Sequence, residues 1–289
     1  MNAMKKETIK KAYAKLNISL DVTDRRADGY HDMVMVMQTV SLADEVRIAL
    51  NETGRVRART NLQFIPGDER NLAVKAALRY LKEIGDTVHG ADIEIHKRIP
   101  VGAGMAGGSA DAAAVLRGMN ELFERRVSDA RLEEIAGDVG SDVPFCVRGG
   151  TVLAEGRGEV LSPLPPLPEC VFVICKPDFS ISTPELFKKL DMVRSHHHPD
   201  TAGIVAALKT RDLPQLCRRM YNVFENVDDR RMKAVAEIKS ALLDRGALGA
   251  VMTGTGSAVF GIYGSESAAA AACDALKEDY GFCCTAKPV

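Results

Sequence analysis

Residues 99–114 read IPVGAGMAGGSADAAA, a glycine-rich loop that runs directly into a helical pattern. Small side chains let the backbone approach a bulky anion closely. The free N–H groups at the start of a helix point outward, and the helix dipole places partial positive charge there. The stretch therefore predicts a cradle for phosphate groups. A flexible turn that allows tight helix packing would leave the same pattern.

Two well-known phosphate-binding loops match this stretch poorly. A Walker loop needs Gly-Lys-Ser/Thr, and the stretch contains no lysine. Gly102, Gly104 and Gly107 satisfy the GxGxxG spacing of dinucleotide-binding folds, but that spacing alone is a weak signal. Ser109 could cap the helix or offer its hydroxyl to a phosphate-bound cation.

Strand and helix patterns mix on both sides of the loop. Alternating apolar residues from Leu16 to Val22 predict a half-buried strand, as do those from Val46 to Leu50 and from Ala91 to Ile95. Residues 250–262 predict two strands joined by a glycine turn. Helices are predicted over residues 71–84, from Ser109 towards Phe123, from Ser128 to a stop at Gly140, and after an N-cap at Thr183. Because hairpin-like neighbours occur in both halves, the pattern favours an α+β fold over a doubly wound one.

The strongest shift in composition is the proline run SPLPPLP at residues 162–168. Four prolines in seven residues cannot continue a helix or a central strand. This run predicts a boundary between one domain at residues 1–163 and a second at residues 164–289. A rigid surface loop inside one domain is the alternative.

The composition limits the classes of partner. The chain has 289 residues, 46% of them hydrophobic, and a net charge of −1, which gives no electrostatic reason to expect a nucleic-acid partner. The seven cysteines show no zinc-ligand spacing and are typical of reduced core thiols. No signal peptide and no run of ~20 apolar residues is present, so we expect a cytoplasmic protein without a membrane span or a metal centre of its own.

Three polar residues are candidates for chemistry. Lys15 and Asn17 alternate with apolar residues and share one face of the first predicted strand, where an ordinary solvated face is the alternative. Asp142, in GSDVPF, could accept a proton from an attacking hydroxyl, or simply cap a helix. A nearby ammonium would keep such a carboxylate ionised.

Three further motifs allow both a functional and a structural interpretation. The DGYH motif ends with Tyr30 and His31, which suit stacking on a base and hydrogen bonding to its edge, unless they lie in an exposed turn. The TGTGS motif at residues 253–257 predicts a hairpin turn or the second wall of a phosphate pocket. The histidine run at residues 196–198 favours a solvated loop over a metal site.

The chain resembles the GHMP family of small-molecule kinases in five segments taken together. In chain order these are AYAKLNISL, RRADGYH, the glycine-rich stretch, GSDVPFCVRG and VMTGTGSAVF. The resemblance implies an α+β kinase of two domains. The N-terminal ATP-binding domain would contain a left-handed βαβ crossover, and the C-terminal domain would be a ferredoxin-like α/β sandwich. The RRADGYH block is similar to the branch of the family whose alcohol substrate carries a cytidine diphosphate.

The resemblance also implies roles for individual residues. Lys15 and Asp142 would be catalytic, and the residues on the substrate would be Asn17, Tyr30, His31, Thr183 and Phe187. The residues on ATP would be Asn71, Lys97, Pro100, Gly102, Ala103, Gly104, Met105, Ala106, Gly107, Gly108 and Ser109.

The glycine-rich loop departs from the usual pattern of this branch, which is closer to GGGLGGGSSNAA. Here the differing positions are Ala103, Met105, Ala106, Ala110 and Asp111. Alanine is still small, so the phosphate cradle should survive. Asp111 is expected in the first helical turn, where it would favour the helix dipole but weaken contacts to phosphate or Mg²⁺.

The activity implied by the resemblance is transfer of a phosphoryl group from ATP, as co-substrate with Mg²⁺, to a small-molecule alcohol. The partners would be that substrate and ATP, and the protein would be a monomer or a weak homodimer. Two alternatives stay open at this point. One is another kinase of the family that acts on mevalonate or homoserine, and the other is a nucleotide-binding module without catalysis.

Overall fold

A computed structural model of the chain describes residues 6–193 and 197–289. Its strands are β1 (Glu7–Arg25), β2 (His31–Asn51), β3 (Val56–Thr60), β4 (Gly90–His96), β5 (Thr151–Gly156), β6 (Val160–Pro163), β7 (Val171–Lys176), β8 (Tyr221–Asn222), β9 (Gly249–Met252), β10 (Val259–Tyr263) and β11 (Phe282–Ala286). Its helices are α1 (Leu72–Ile84), α2 (Gly107–Leu122), α3 (Asp129–Gly137), α4 (Val143–Arg148), α5 (Thr183–Leu190), α6 (Thr201–Thr210), α7 (Leu213–Cys217), α8 (Arg231–Asp244) and α9 (Glu266–Leu276), with a 3-10 helix at Val223–Asn226. None of the helices in these described ranges combines the length and the apolar character that a membrane crossing requires.

The chain forms two compact units, each built from several segments. Unit 1 contains the chain up to Ala14, Ala43–Ile99 and Ala106–Gly149, and unit 2 contains Lys15–Leu42, Pro100–Met105 and Gly150–Val289. Strands β1 and β2 each contribute residues to both units. The predicted domain boundary between residues 163 and 164 stays a prediction.

Unit 1 packs α1 and α2 beside a group of strands. Strand β3 pairs in parallel with β4, so β3, α1 and β4 form a βαβ unit, and β4 pairs antiparallel with residues 45–51 of β2. The alternation at Val46 and Ile48 predicted a half-buried strand, and both side chains are fully buried. Gly118 lets helix α2 pack closely against β2, since a Cβ at this position would lie 2.2 Å from Ile48 Cδ1.

Unit 2 contains two groups of strands. In the first, β5 pairs antiparallel with β6 and with residues 33–38 of β2, while β8 pairs in parallel with β1. The second is an antiparallel sheet in the order β11-β7-β10-β9. Apart from the segment α5 to β8 and the 3-10 helix, which is inserted between β7 and α8, the chain order is β7, α8, β9, β10, α9, β11. This is the βαββαβ pattern of a ferredoxin-like sandwich.

The structure confirms the α+β class and most predicted elements, with two corrections at helix ends. Helix α3 ends at Gly137 rather than Gly140, because the N–H groups of Val139 and Gly140 both turn back to the Ala136 carbonyl. The N-cap of α5 is Ser182, so Thr183 is the first helical residue and not the cap.

Candidate active site

Lys15 and Asn17 lie side by side on β1 and are both buried. Leu16 and Ile18 occupy the opposite face of the strand, as alternation requires. Lys15 is nevertheless only 4% exposed and Asn17 is 0% exposed, so the alternative of a solvated strand face is wrong. The Lys15 ammonium donates to Asn17 Oδ1 and forms no ion pair within the described part of unit 2. Its charge therefore stays available to an anion.

The first part of the glycine-rich loop, Pro100–Met105, lies in unit 2 and is held there by several contacts. Gly102 and Gly104 have positive φ angles of 64° and 74°, which favour glycine. A Cβ on Gly104 would lie 2.1 Å from the Thr253 carbonyl oxygen. The Lys15 N–H donates to the Met105 carbonyl at 3.2 Å, and the Thr253 hydroxyl donates to the Gly104 carbonyl at 3.2 Å. These contacts bind the loop to the strand that carries Lys15 and argue against a flexible turn.

The TGTGS motif connects β9 and β10, which confirms the predicted hairpin. The same turn reaches the candidate residues of unit 2, because the Asn17 N–H donates to Thr253 Oγ1 at 3.1 Å and the Thr183 and Thr255 hydroxyls lie 2.8 Å apart. Asn222 holds the turn in shape, since its side-chain amide donates to the Met252 and Gly254 carbonyls, both at 2.8 Å. Its role as the second wall of a phosphate pocket stays a prediction.

In unit 1, helix α2 begins at Gly107, after Ala106 in a left-handed conformation with φ of 55°. Ser109 is the third residue of this helix, and no side chain in the described part of the chain caps its start, so the prediction of a Ser109 cap is wrong. The first N–H groups of a helix have no partner within the helix. Because Gly108 is exposed and Ser109 is partly exposed, these N–H groups form an accessible place for an anion.

Lys97 lies beneath the start of α2 in a buried group of three charges. Its ammonium donates to Asp44 and, at 2.6 Å, to Asp111 Oδ2, and the other Asp44 oxygen accepts the Ile99 N–H at 2.8 Å. Asp111 is the fifth residue of α2 and only 4% exposed, so its predicted place in the first turn is wrong. Burial, only partly offset by the Lys97 ammonium, raises the pKa of Asp111 to about 7. None of the described residues donates a hydrogen bond to its Oδ1.

The remaining residues of unit 1 are Asn71 and Asp142. Asn71 caps α1, where Oδ1 accepts the Ala73 N–H at 3.0 Å and Nδ2 donates to the Pro66 carbonyl at 2.9 Å. Asp142 precedes α4, but its carboxylate makes no capping hydrogen bond, so an ordinary cap does not explain it. Its convergence with Lys15 stays a prediction.

Two of the residues predicted to bind the substrate, His31 and Phe187, lie together in unit 2. The His31 ring stacks on Phe187, with ring centroids 4.7 Å apart and planes at 24°. Tyr30 is 56% exposed, and the Arg157 guanidinium lies 4.6 Å from its ring centroid. Tyr30 therefore lies in an exposed turn, whereas the His31 side chain is only 10% exposed. The role of both residues on the substrate stays a prediction.

Of the histidine run, His196 lies outside the described residues, and His198 Nδ1 lies 2.9 Å from both carboxylate oxygens of Asp21. Sequence reasoning missed Asn222, which holds the turn of unit 2, and Asp44, which pairs with Lys97 in unit 1. Neither stands in a motif, and only the TGTGS pattern pointed towards the turn that Asn222 holds.

Comparison with known proteins decides the family. The description "GHMP kinases N terminal domain" matches residues 71–150, and "GHMP kinases C terminal" matches residues 204–281. The chain belongs to the GHMP kinase family. The N-terminal match begins at Asn71 and includes the whole glycine-rich loop and Asp142.

Comparison with individual GHMP kinases shows which branch of the family this chain is most similar to among those compared. A 4-diphosphocytidyl-2-C-methyl-D-erythritol kinase from Syntrophomonas wolfei is 42% identical over 277 residues, which are 96% of each chain. A crystal structure of 4-(cytidine 5'-diphospho)-2C-methyl-D-erythritol kinase superimposes with a TM-score of 0.80 at 31% identity, covering 97% of this chain and 99% of that one. A homoserine kinase from Cytophaga hutchinsonii has a TM-score of 0.77 at 24% identity, covering 99% and 94%, and shows the fold alone.

Proposed function

We propose that this protein uses ATP to phosphorylate the 2-hydroxyl of 4-diphosphocytidyl-2-C-methyl-D-erythritol, giving the 2-phosphate and ADP in isoprenoid precursor biosynthesis. The observation that carries the proposal is the 42% identity, over 96% of both chains, to a relative named as the kinase of this substrate. The buried Lys15–Asn17 pair and the fixed glycine-rich loop support it, since phosphoryl transfer needs charge and amides placed in advance.

The proposed reaction places Asp142 on the acceptor hydroxyl as the base and Lys15 beside the reacting oxygen. A carboxylate can take the proton of the hydroxyl as its oxygen bonds to the γ-phosphorus of ATP and the bond from that phosphorus to the bridging oxygen breaks, which releases ADP. An ammonium stabilises the developing negative charge. Asn17 accepts a hydrogen bond from Lys15 and so holds its ammonium in place. The acceptor is a tertiary alcohol, which is hindered and weakly acidic, so orientation of the hydroxyl contributes much of the rate.

We assign the ATP phosphates to the segment from Pro100 to Ser109, with Asn71 and Lys97 on the adenine side. The uncapped start of α2 supplies N–H donors and the positive end of a helix dipole. Within residues 6–193 and 197–289, no cluster of three His, Cys, Asp or Glu side chains could hold a metal ion. Mg²⁺ is usually held by substrate phosphates, water and one or two carboxylates, so we propose that it enters with ATP.

The cytidine is assigned to unit 2, to Tyr30, His31, Thr183 and Phe187. Aromatic rings stack well on a base, and the paired rings of His31 and Phe187 supply one such surface. We also propose that the protein acts in the cytoplasm as a monomer or a weak homodimer.

A substrate panel tests the assignment. Coupled release of ADP is measured with the cytidine diphosphate alcohol, with mevalonate and with homoserine. We expect turnover with the first and at least ~10²-fold lower kcat/KM with the other two, since a site that recognises the cytidine loses those contacts. Preferred turnover of mevalonate or homoserine would refute the substrate assignment while keeping the kinase.

The Asp142→Asn variant tests the mechanism. Loss of the base should lower kcat by at least ~10²-fold with little change in the KM for ATP. Asp138→Asn is the matched control, because Asp138 also follows α3 but is exposed and pairs with Arg79 at 2.9 Å. The control should retain normal kcat. Near-normal turnover of the Asp142 variant would remove that residue from the mechanism.

A further inference from the structure

Asp191 and His31 are 160 positions apart in the chain but meet in unit 2. His31 opens β2, and Asp191 directly follows α5. His31 Nε2 lies 2.7 Å from Asp191 Oδ1, with the two side chains 10% and 26% exposed. A carboxylate only accepts hydrogen bonds, so the proton on this nitrogen is donated to Asp191. The contact therefore determines both the ring orientation and which nitrogen carries hydrogen.

The last turn of α5, which precedes Asp191, also contacts the His31 ring. Phe187 stacks on that ring, and the Asp191 N–H donates to the Phe187 carbonyl at 3.0 Å. Phe187 itself packs edge-on against the fully buried Phe224, with centroids 4.9 Å apart and planes at 83°. The hydrogen bond and the stacking contact are thus anchored to the core of unit 2.

The other oxygen of Asp191 faces a weaker partner. Arg25 Nη1 lies 3.5 Å from Asp191 Oδ2, and the Arg25 side chain is 65% exposed. Exposed ion pairs of this kind contribute little. Among the described residues, His31 is therefore the better-placed partner of the Asp191 carboxylate.

We propose that Asp191 is a positioning residue that holds His31 ready for the cytidine half of the substrate. The proposal rests on the proposed function, because it takes from there the assignment of His31 to the cytidine. Asp191 acts through His31 and does not itself contact the substrate. Without the carboxylate, the His31 ring can rotate away from Phe187, and binding must first restore its orientation.

Kinetics of Asp191→Ala and Asp191→Asn test the proposal. Loss of a hydrogen bond to a charged group should raise the KM for the cytidine diphosphate alcohol about ten-fold to a hundred-fold in the alanine variant. The kcat and the KM for ATP should change less than about two-fold, because the reacting groups are untouched. The asparagine variant should be intermediate, since its amide oxygen still accepts from Nε2–H.

A double variant separates action through His31 from direct contact. In an H31A background, adding Asp191→Ala should raise the substrate KM by less than about two-fold. Asp200→Ala is the control for a structural loss in the same unit, because Asp200 caps α6 and pairs with Arg219 at 2.9 Å. It should lower the Tm and leave both KM values unchanged.

Direct binding of cytidine 5′-diphosphate, measured by calorimetry without ATP, keeps the two proposals apart. Absence of turnover in the wild type would refute the proposed function. Equal affinity of the wild type and Asp191→Ala for cytidine 5′-diphosphate would overturn the positioning role, as would multiplicative effects in the double variant. A parallel fall in Tm, kcat and both affinities would also overturn it, in favour of a purely structural residue.

Discussion

Replacing Asp111 with asparagine should change how the stability of the unliganded protein depends on pH. Asp111 shares the Lys97 ammonium with Asp44, so two buried carboxylates face one positive charge. Burial is the largest cause that raises the pKa of Asp111, from 3.8 to about 7. Asparagine keeps the shape and an accepting oxygen for Lys97, but removes the group that titrates.

The sign and size follow from linkage. A carboxyl with a raised pKa binds its proton more tightly in the folded protein, so stability falls as pH rises from about 4 to about 7 and then levels off. One pKa unit corresponds to ~1.4 kcal/mol, so between pH 5 and pH 8 the wild type should lose ~2–3 kcal/mol from this group. In chains somewhat shorter than this one, the Tm changes by ~2–4 °C for each kcal/mol of stability. The loss therefore corresponds to a fall in Tm of roughly 5–10 °C.

The assay is thermal unfolding of both proteins at pH 5 and at pH 8 without nucleotide. The Tm of Asp111→Asn minus that of the wild type should increase by roughly 5–10 °C from the lower to the higher pH. Asp111→Ala is the matched variant, since its cavity shifts the Tm at both pH values but leaves the same increase. A difference from the wild type that stays constant across this range in both variants would refute the reasoning.

Two further substitutions test the loop and the cap. Gly104→Ala places a Cβ 2.1 Å from the Thr253 carbonyl oxygen at a φ of 74°, so it should lower the free energy of unfolding by more than ~2 kcal/mol in a denaturant titration; unchanged stability would contradict the close approach. Asn71→Ala should cost ~1 kcal/mol of stability, whereas Asn71→Ser should retain it because serine also caps helices well. If Asn71 also binds ATP, the serine variant should show a higher KM for ATP, and an unchanged KM would leave Asn71 with the cap alone.

Much of the fold could be predicted because its signals are local. The alternation in β1, β2 and β4 and the helical spacing in α1 and α2 come from residues a few positions apart, and these elements form where they were expected. The hairpin of β9 and β10 also follows from a short glycine turn. The helix ends were less predictable, because Ser182 and Thr183 are both common caps and because Gly137 and Gly140 could each end α3.

The candidate site could be predicted only in part. The motifs named Lys15, Asn17 and the glycine-rich loop, but their spacing also suited a solvated strand and a flexible turn. Tertiary contacts decided between these interpretations. Thr253, which is 236 positions from Asn17, forms hydrogen bonds with the backbone of both Asn17 and Gly104. The environment of Asp111 was predicted wrongly. Its position in the sequence suggested an interaction with the helix dipole, and no nearby residue indicates that Asp44 shares the Lys97 ammonium with it.

The α+β class, the family and the residue types available for chemistry all follow from patterns and motifs within short stretches of the chain. Which of those side chains are buried, and what they contact, depends on the folded structure. Burial, ion pairing and ring stacking depend on segments that are distant in the chain, as with His31 and Asp191 or Lys97 and Asp44. Short-range patterns carry no information about such neighbours, because packing selects them after the elements have formed.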